Sequence, residues 1–342
     1  MGSGHAETSA AVFAADGAES VTGAHPVLVE VVRSGVIESR HRGSLTVLGA
    51  DGSVLVSAGE PGAPMFPRSS NKPMQAATML RCGLSLDGQL LALASASHSG
   101  EEFHVGGVRS ILAEAGLDES FLQCPPDLPL DEAARLAWLR AGGVADRIHM
   151  NCSGKHAAML ATCVAAGWPT ATYRDPAHPL QVRIKQNIER LAGEPVAATG
   201  TDGCGAPLFA LSVTGLARAF RALVLADPGS AERRVADAMR ANPVWTSGTT
   251  RAEAALVAAV PGLLIKGGAE GVCAFALPDG RAGAVKFDDG AQRAAPVIVA
   301  AALAGLVSGD TGVDRAALAE VARPVVTGGG VPVGELRPVL PV

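Results

Sequence analysis

Lysine is scarce in this chain: of its 28 basic residues only five are lysine, and the other 23 are arginine. Arginine stays protonated in proteins, whereas burial can remove the proton from a lysine amine. A sequence that uses arginine wherever it needs only positive charge therefore makes its lysines candidates for chemistry. Three of them, Lys72, Lys155 and Lys266, stand in motifs rich in serine or glycine, and the others, Lys185 and Lys286, have the setting of structural residues.

Runs of basic residues and long apolar runs are also missing. The formal net charge is -5 and the basic residues are scattered, so neither nucleic acid nor an anionic membrane is an expected partner. The most apolar window, residues 294–307, is interrupted by Pro296 and is too short to cross a bilayer. With 48% hydrophobic but only 4% aromatic residues, the chain is expected to fold around an aliphatic core.

Residues 1–24 are small and polar, and they lack a basic start followed by an apolar block. They predict a disordered leader rather than a secretory signal, so residues 25–342 are expected to form a single domain. The six cysteines have no spacing typical of a disulfide framework, which favours reduced thiols in a cytoplasmic protein. They are Cys82, Cys124, Cys152, Cys163, Cys204 and Cys273.

Strand patterns occur towards both ends of the chain, and helical patterns occur between them. Residues 25–32 and 43–48 are rich in β-branched side chains and predict strands near the start. A strand at 263–266 is followed by a hairpin signal at Asp279-Gly280 near the other end. The sequence therefore predicts an α+β fold in which both chain ends build one antiparallel sheet and the middle forms a helical region.

The stretch around Ser69 and Lys72 opens the first long helical pattern. If this stretch is helical, the three-residue spacing puts a hydroxyl and an amine on one face, which is the geometry of a serine nucleophile with a lysine base. Pro73 is tolerated there because the first helical N–H groups have no partner within the helix. The alternative for so short a pattern is a capping serine beside a solvated lysine.

Three short motifs follow one another in the order and contexts of the serine β-lactamases and penicillin-binding proteins. Relative to that architecture, Ser99 stands in place of an asparagine and Gly267 in place of a threonine. The ordered set predicts two serine–lysine couples around one pocket, in which a neutral amine takes a hydroxyl proton. The motifs are Ser69-x-x-Lys72, Ser97-x-Ser99 and Lys266-x-Gly268.

A second constellation is formed by Cys152, Lys155, His156 and the more distant Cys204. Two thiolates with a nitrogen donor suit tetrahedral zinc with water in the remaining position. Two alternatives remain open: Cys152 and Cys204 are ordinary buried cysteines, or Cys152 and His156 form a nucleophilic dyad.

Five motifs stand out in this chain: Arg-Ser-Ser-Asn-Lys-Pro at 68–73, Ala-Ser-His-Ser-Gly-Glu at 96–101, Asn-Cys-Ser-Gly-Lys-His at 151–156, Asp-Gly-Cys-Gly-Ala-Pro at 202–207 and Lys-Gly-Gly-Ala-Glu-Gly at 266–271. Taken together, they resemble the rhizobial-type L-asparaginases of the asparaginase II family. The resemblance runs from about residue 25 onward, and it implies one catalytic domain with a serine β-lactamase/glutaminase-like fold. It also implies hydrolysis of L-asparagine to L-aspartate and ammonia, and a homodimer.

The resemblance also implies roles for individual residues. The two serine–lysine tandems would be Ser69–Lys72 and Ser97–Lys266, with Ser69 as the nucleophile and the second tandem passing a proton to the leaving nitrogen. A zinc ion would lie on Cys152, Lys155 and Cys204 and hold the substrate, with Asp202 orienting its water or the substrate amine. His156 would then have a structural or supporting role.

Two further charged residues are candidates for substrate binding. Arg68 either binds a carboxylate or pairs with an acid at the helix start, and Glu270 either contacts substrate or is solvated. Two other functions remain open: a glutaminase or β-lactamase-like serine amidohydrolase, and a binding or sensor module of the same fold without turnover.

Overall fold

A computed structural model of the protein describes residues 25–340. The leader predicted for residues 1–24 lies outside the described residues. Within residues 25–340, no helix combines the length and the apolar character needed to cross a membrane.

One antiparallel sheet of eight strands organises the described chain, in the order β11-β12-β1-β2-β10-β9-β8 with β3 also paired to β2. Two small sheets, β4 with β7 and β5 with β6, lie apart from it. The strands are β1 (Val27–Arg33), β2 (Val36–Leu48), β3 (Val54–Ala58), β4 (Pro64–Met65), β5 (Thr199–Thr201), β6 (Pro207–Phe209), β7 (Leu211–Ser212), β8 (Leu264–Gly268), β9 (Val272–Ala276), β10 (Ala282–Phe287), β11 (Val325–Gly328) and β12 (Val331–Pro338).

Helices cover both faces of this sheet. The larger group, from α1 to α8, lies between the amino-terminal and carboxyl-terminal strands in sequence, and a short 3-10 turn at Arg68–Asn71 leads into α1. The helices are α1 (Lys72–Arg81), α2 (Gly88–Ala94), α3 (Glu102–Glu114), α4 (Glu132–Arg140), α5 (Ser153–Ala166), α6 (Pro179–Ala192), α7 (Val213–Leu225), α8 (Ala231–Ala241), α9 (Pro243–Thr246), α10 (Ala252–Ala259), α11 (Ala294–Leu306) and α12 (Arg315–Ala322).

Side-chain alternation along the central strands separates two cores. Ala274 and Ala284 face the core shared with the large helical region, whereas Phe275 and Val285 face the core shared with α10, α11 and α12. Successive residues of a strand point to opposite faces, so both faces of β9 and β10 are buried. The small alanines on one face let α7 approach the sheet closely.

The predicted fold class is confirmed. Strands from both chain ends build one antiparallel sheet, the middle of the chain is helical, and the Asp279-Gly280 hairpin joins β9 to β10 with Gly280 at a φ of +94°. This arrangement agrees with the serine β-lactamase-like fold that the resemblance implies. The helix α10 has only a weak helical pattern in the sequence, because Ala252–Ala259 is short and mostly alanine, without a clear polar face.

The start of α1 packs directly against the edge strand β8. The Ser70 hydroxyl donates to the Lys266 carbonyl at 2.9 Å. A Cβ on Gly268 would lie 2.6 Å from the Pro67 carbonyl oxygen, so this close approach requires glycine. The helix start and β8 are thereby fixed side by side, which places Lys72 and Lys266 near each other.

Replacing Gly43 by alanine tests how tightly β2 and β10 are joined. The new Cβ would collide with the Lys286 carbonyl oxygen and would lie 3.0 Å from Phe287 Cα, both of them backbone atoms that cannot move aside cheaply. We expect a loss of unfolding free energy of about 1–3 kcal/mol, measured as a lower urea midpoint. The control is Gly62→Ala, which meets nothing within 4 Å. Equal midpoints for the two variants would contradict the tight pairing.

Candidate active site

A cavity of about 480 Å³ opens where the start of α1, the start of α5 and β8 meet. Segments far apart in sequence form its wall, which is why the separate motifs converge. The lining residues include Arg68, Ser69, Ser97, Asn151, Cys152, Asp202, Cys204, Arg251, Gly267, Gly268 and Gln292.

Lys72 is completely buried at the beginning of α1. Its amine donates to the Ala96 carbonyl at 2.5 Å, to the Ser97 hydroxyl at 3.0 Å and to the Cys152 sulfur at 3.1 Å. An ammonium group has three donors, and here three acceptors match them. Pro73 follows within the first helical turn, as the sequence predicted.

The Ser97 hydroxyl lies between two lysine amines. Lys266 Nζ is 3.0 Å from Ser97 Oγ, the same distance as Lys72 Nζ, and it also donates to the Gly267 carbonyl at 2.6 Å. An amine, a hydroxyl and a second amine therefore form a continuous hydrogen-bonded chain through which a proton can pass.

Burial, together with the nearby charges of Lys72 and Arg251, lowers the pKa of Lys266 to about 7, while Glu253 acts in the opposite direction. An amine with this pKa is present in both forms at neutral pH. Lys266 can therefore accept and return a proton without a large energetic cost.

The Ser69 hydroxyl lines the cavity but has no hydrogen bond to Lys72 or to any other group in residues 25–340. The reason is local: Ser69 belongs to the 3-10 turn before α1, and Arg68 at its start has a φ of +50°. The three-residue helical spacing assumed from the sequence therefore does not apply across this boundary. Lys72 instead donates across the chain to Ser97.

Arg68, Asp202 and Glu270 form one charged group at the cavity. Arg68 Nε donates to Asp202 Oδ1 at 2.7 Å, and Arg68 Nη1 lies 3.7 Å from Glu270 Oε1. Arg68 and Glu270 both have positive φ angles, of 50° and 61°, which are unfavourable for residues with a side chain and recur at functional sites. All three residues predicted to bind substrate are thus brought together.

The predicted zinc ligands also converge. Lys155, buried in the first turn of α5, donates to Cys204 Sγ at 3.0 Å. The neighbouring Cys152 sulfur, together with the Lys155 charge, holds the pKa of Cys204 well below its usual range, and the Cys204 sulfur with burial raises the pKa of Cys152. The Cys152 thiol itself donates to Asn151 Oδ1 at 3.0 Å. Of the two sulfurs, Cys204 is therefore the one that favours the thiolate form, and it lies beside a buried amine.

This donor set fits zinc. Two sulfurs and one nitrogen leave room for a fourth ligand in a tetrahedral site. No group of three His, Cys, Asp or Glu side chains positioned to hold a metal occurs in residues 25–340, so a zinc ion on these two cysteines would take its third protein donor from Lys155. Burial opposes the charge of Lys155, but Cys204, Cys152 and Asp202 together outweigh it and raise the lysine pKa, so zinc would have to displace this proton.

His156 lies beside this cluster and has a supporting position. Its Nδ1 is 2.7 Å from the Tyr173 hydroxyl, and its buried Nε2 has no hydrogen-bond partner among the described residues. Burial lowers the pKa of His156 to about 4, so the ring is neutral at physiological pH.

The remaining two lysines are structural, as predicted. Lys286 donates to the carbonyls of Glu270 and Phe287, at 2.6 and 2.5 Å. Lys185 lies 3.7 Å from Glu189 one helical turn further along α6. Both amines satisfy nearby acceptors away from Ser97.

Three residues that line the cavity or its wall were not predicted from the sequence. Arg251 and Gln292 line the cavity, and Gln292 donates to the Gly268 carbonyl at 3.1 Å. Glu253 lies behind Gly267, where its Oε1 is 2.5 Å from the position a Cβ at 267 would take. None of these residues stands in a recognisable motif. The one signal in the sequence is Gly267, since a glycine in place of a threonine indicates that another group occupies the position of its side chain.

Solved structures with some similarity to this chain include those of the proteins Mglu and EstCE1. Mglu in its native form with 4.3 M NaCl has 14% identity and a TM-score of 0.43, and the match covers 80% of this chain but only 62% of Mglu. EstCE1, described as a hydrolase with promiscuous acyltransferase activity, has 14% identity and a TM-score of 0.32, with 76% of this chain and 87% of EstCE1 covered. Curated protein sequences gave no match.

The sequence family described as L-asparaginase II matches residues 29–338. This range begins in β1 and ends with β12, so it includes every segment that lines the cavity. The chain therefore belongs to the L-asparaginase II family.

Proposed function

We propose that the protein is an L-asparaginase that hydrolyses L-asparagine to L-aspartate and ammonia through an acyl-enzyme. The observation that supports this most directly is the Ser97 hydroxyl held 3.0 Å from both Lys72 and Lys266, in the cavity that Ser69 also lines. Membership of the L-asparaginase II family supports an amide as substrate.

In this proposal Ser69 attacks the carbon of the side-chain amide. The Ser97 hydroxyl is bonded to both lysine amines, so it is suited to conduct a proton. The Ser69 hydroxyl has no hydrogen bond within residues 25–340, so it is available to attack the substrate. A bond forms between Ser69 Oγ and the amide carbon, and ammonia leaves after its nitrogen has gained a proton. Water then cleaves the ester and releases aspartate.

The Ser69 proton is taken up by the Lys72–Ser97–Lys266 chain and delivered to the leaving nitrogen. Lys266 is the group in this chain whose pKa is lowered to about 7, so it can serve as base and then as acid. Lys72, Ser97 and Lys266 act together in this transfer, because both lysine amines are hydrogen-bonded to the Ser97 hydroxyl.

Charged groups at the cavity support an amino-acid substrate. Asp202 is the carboxylate best placed for the substrate ammonium, since it lines the cavity and is held by Arg68. Cys152, Lys155 and Cys204 would hold a zinc ion, which when bound supplies a fixed positive charge for anchoring the substrate.

Compartment and assembly are also part of the proposal. All six cysteines are free thiols, which is the state expected in a reducing cytoplasm. The family resemblance is the ground for proposing a homodimer.

Ammonia release is the first test of the proposed activity. We expect release from L-asparagine to exceed that from L-glutamine, with no hydrolysis of a chromogenic β-lactam. Ser69→Ala and Ser97→Ala should each lower kcat/KM by more than about 100-fold, because either change interrupts the reaction unit. The exposed Ser110→Ala variant, at a serine bonded only to its own helix, is the control. No ammonia from either amino acid would favour a binding or sensor module.

The nucleophile can be identified by quenching wild-type turnover in acid and digesting the protein. We expect an aspartyl ester, seen as a mass increase, on the peptide that carries Ser69. The same adduct on the peptide that carries Ser97 would exchange the roles of the two serines.

The pH profile tests Lys266 as the base. Only the neutral amine accepts a proton, so kcat/KM should rise with pH through about 7 and then level off. The groups that act on this amine are Lys72, Arg251, Glu253 and Cys152. Because Glu253 raises the pKa of Lys266, Glu253→Gln should move the rising limb to lower pH. If the rising part of the profile does not move in Glu253→Gln, the titrating base is a group other than Lys266.

Zinc content tests the proposed metal site independently of turnover. After dialysis against zinc-free buffer, we expect about one zinc per wild-type chain by elemental analysis and at least about tenfold less in Cys204→Ser, because one thiolate donor is lost. Cys82→Ser, at a half-buried cysteine outside the cavity, should keep its zinc. Equal contents in the two variants would exclude Cys204 as a ligand.

A further inference from the structure

Arg251 is a cation at the catalytic cavity that the proposed reaction does not use. It immediately precedes α10 and lines the same cavity as Ser69 and Ser97. The Arg251 charge also contributes to the lowered pKa of Lys266, in agreement with its place in the cavity wall. A charged side chain in this position acts on whatever enters the cavity.

An α-amino acid substrate brings a carboxylate that needs a cationic partner. Arg68 already binds Asp202 at 2.7 Å and lies 3.7 Å from Glu270. Lys72 and Lys266 are buried and engaged in the Ser97 chain. The charge of Arg68 is therefore already met by two carboxylates, and both lysine amines already donate to fixed acceptors.

Arg251 differs in this respect. Its side chain is 38% exposed, and its only ion-pair partner within residues 25–340 is Glu253 at 3.4 Å. A guanidinium presents two parallel N–H groups that match a carboxylate. Arg251 can therefore bind a ligand carboxylate while Glu253 still limits its movement.

Gly267 makes the position of Glu253 possible. A Cβ at 267 would meet Glu253 Oε1 at 2.5 Å and Cδ at 3.5 Å, and nothing else within 4 Å. The glycine that replaces the threonine of the β-lactamase pattern thus leaves space for the carboxylate that holds Arg251. The same carboxylate is close enough to Lys266 to act on its charge.

We propose that Arg251, held by Glu253 behind Gly267, binds the α-carboxylate of the substrate. The inference rests on the proposed function, and it adds a specificity-determining residue to that site. The ammonium and carboxylate of the substrate would then face Asp202 and Arg251, with the side-chain amide towards Ser69.

The kinetic test compares L-asparagine with β-alaninamide, which keeps the amine and the single amide but lacks the carboxylate. Arg251→Gln should lower kcat/KM for L-asparagine by roughly 10- to 100-fold, since one charged hydrogen-bonded contact is lost. For β-alaninamide it should stay within about twofold, because no carboxylate is present. Arg251→Lys should retain part of the preference for L-asparagine over β-alaninamide, because the positive charge is kept. The control is Arg109→Gln, which removes an exposed pair with Glu119.

Binding of L-aspartate separates this inference from the proposed activity, because it needs no turnover. By calorimetry, Arg251→Gln should weaken L-aspartate roughly 10- to 100-fold relative to wild type, with an unchanged melting temperature confirming the fold. An affinity within twofold of wild type, or an unchanged preference for L-asparagine over β-alaninamide, would overturn the role of Arg251. Wild-type protein that binds L-aspartate but releases no ammonia would overturn only the proposed activity.

Discussion

Burial of three lysine amines in one region is the constraint on which the rest of this site depends. Lys72, Lys155 and Lys266 are each no more than 3% exposed. A buried charge without partners is very costly, so each amine must be met by acceptors fixed in place. The fold meets this demand with a carbonyl and a hydroxyl for two of the amines and with sulfur for Lys72 and Lys155. Each of the three amines is therefore held by hydrogen bonds at the points where chemistry is proposed.

Composition predicted the important lysines because arginine supplies most other positive charge in this chain. The three motif lysines are buried at the cavity, whereas Lys185 pairs on a helix surface and Lys286 satisfies two carbonyls. The sheet was predictable for a similar reason: hairpin signals and β-branched runs are local, and they mark both chain ends. Local signals thus sufficed for the fold class and for the members of the motifs.

Contacts between motifs were beyond local reasoning. Ser69 and Lys72 are adjacent in a helical pattern, yet the 3-10 turn separates them and Lys72 bonds Ser97, 25 residues away. Ser97 in turn meets Lys266 across 169 residues of sequence. Arg251 could not be predicted from the sequence because it stands in no motif. Its position depends on the ion pair with Glu253, which packs behind Gly267.

The catalytic chain and the thiol cluster are not independent, because Lys72 touches both. Its single amine donates to Ser97 at 3.0 Å and to Cys152 at 3.1 Å. A change in the charge or position of the Cys152 sulfur therefore alters one of the two amines that hold the Ser97 hydroxyl. Lys266, on β8, contacts Ser97 from the other side and has no hydrogen bond to the sulfurs within residues 25–340. The two amines thus differ in what they connect: Lys72 joins the serine to the thiols, and Lys266 joins it to the strand behind which Glu253 and Arg251 lie.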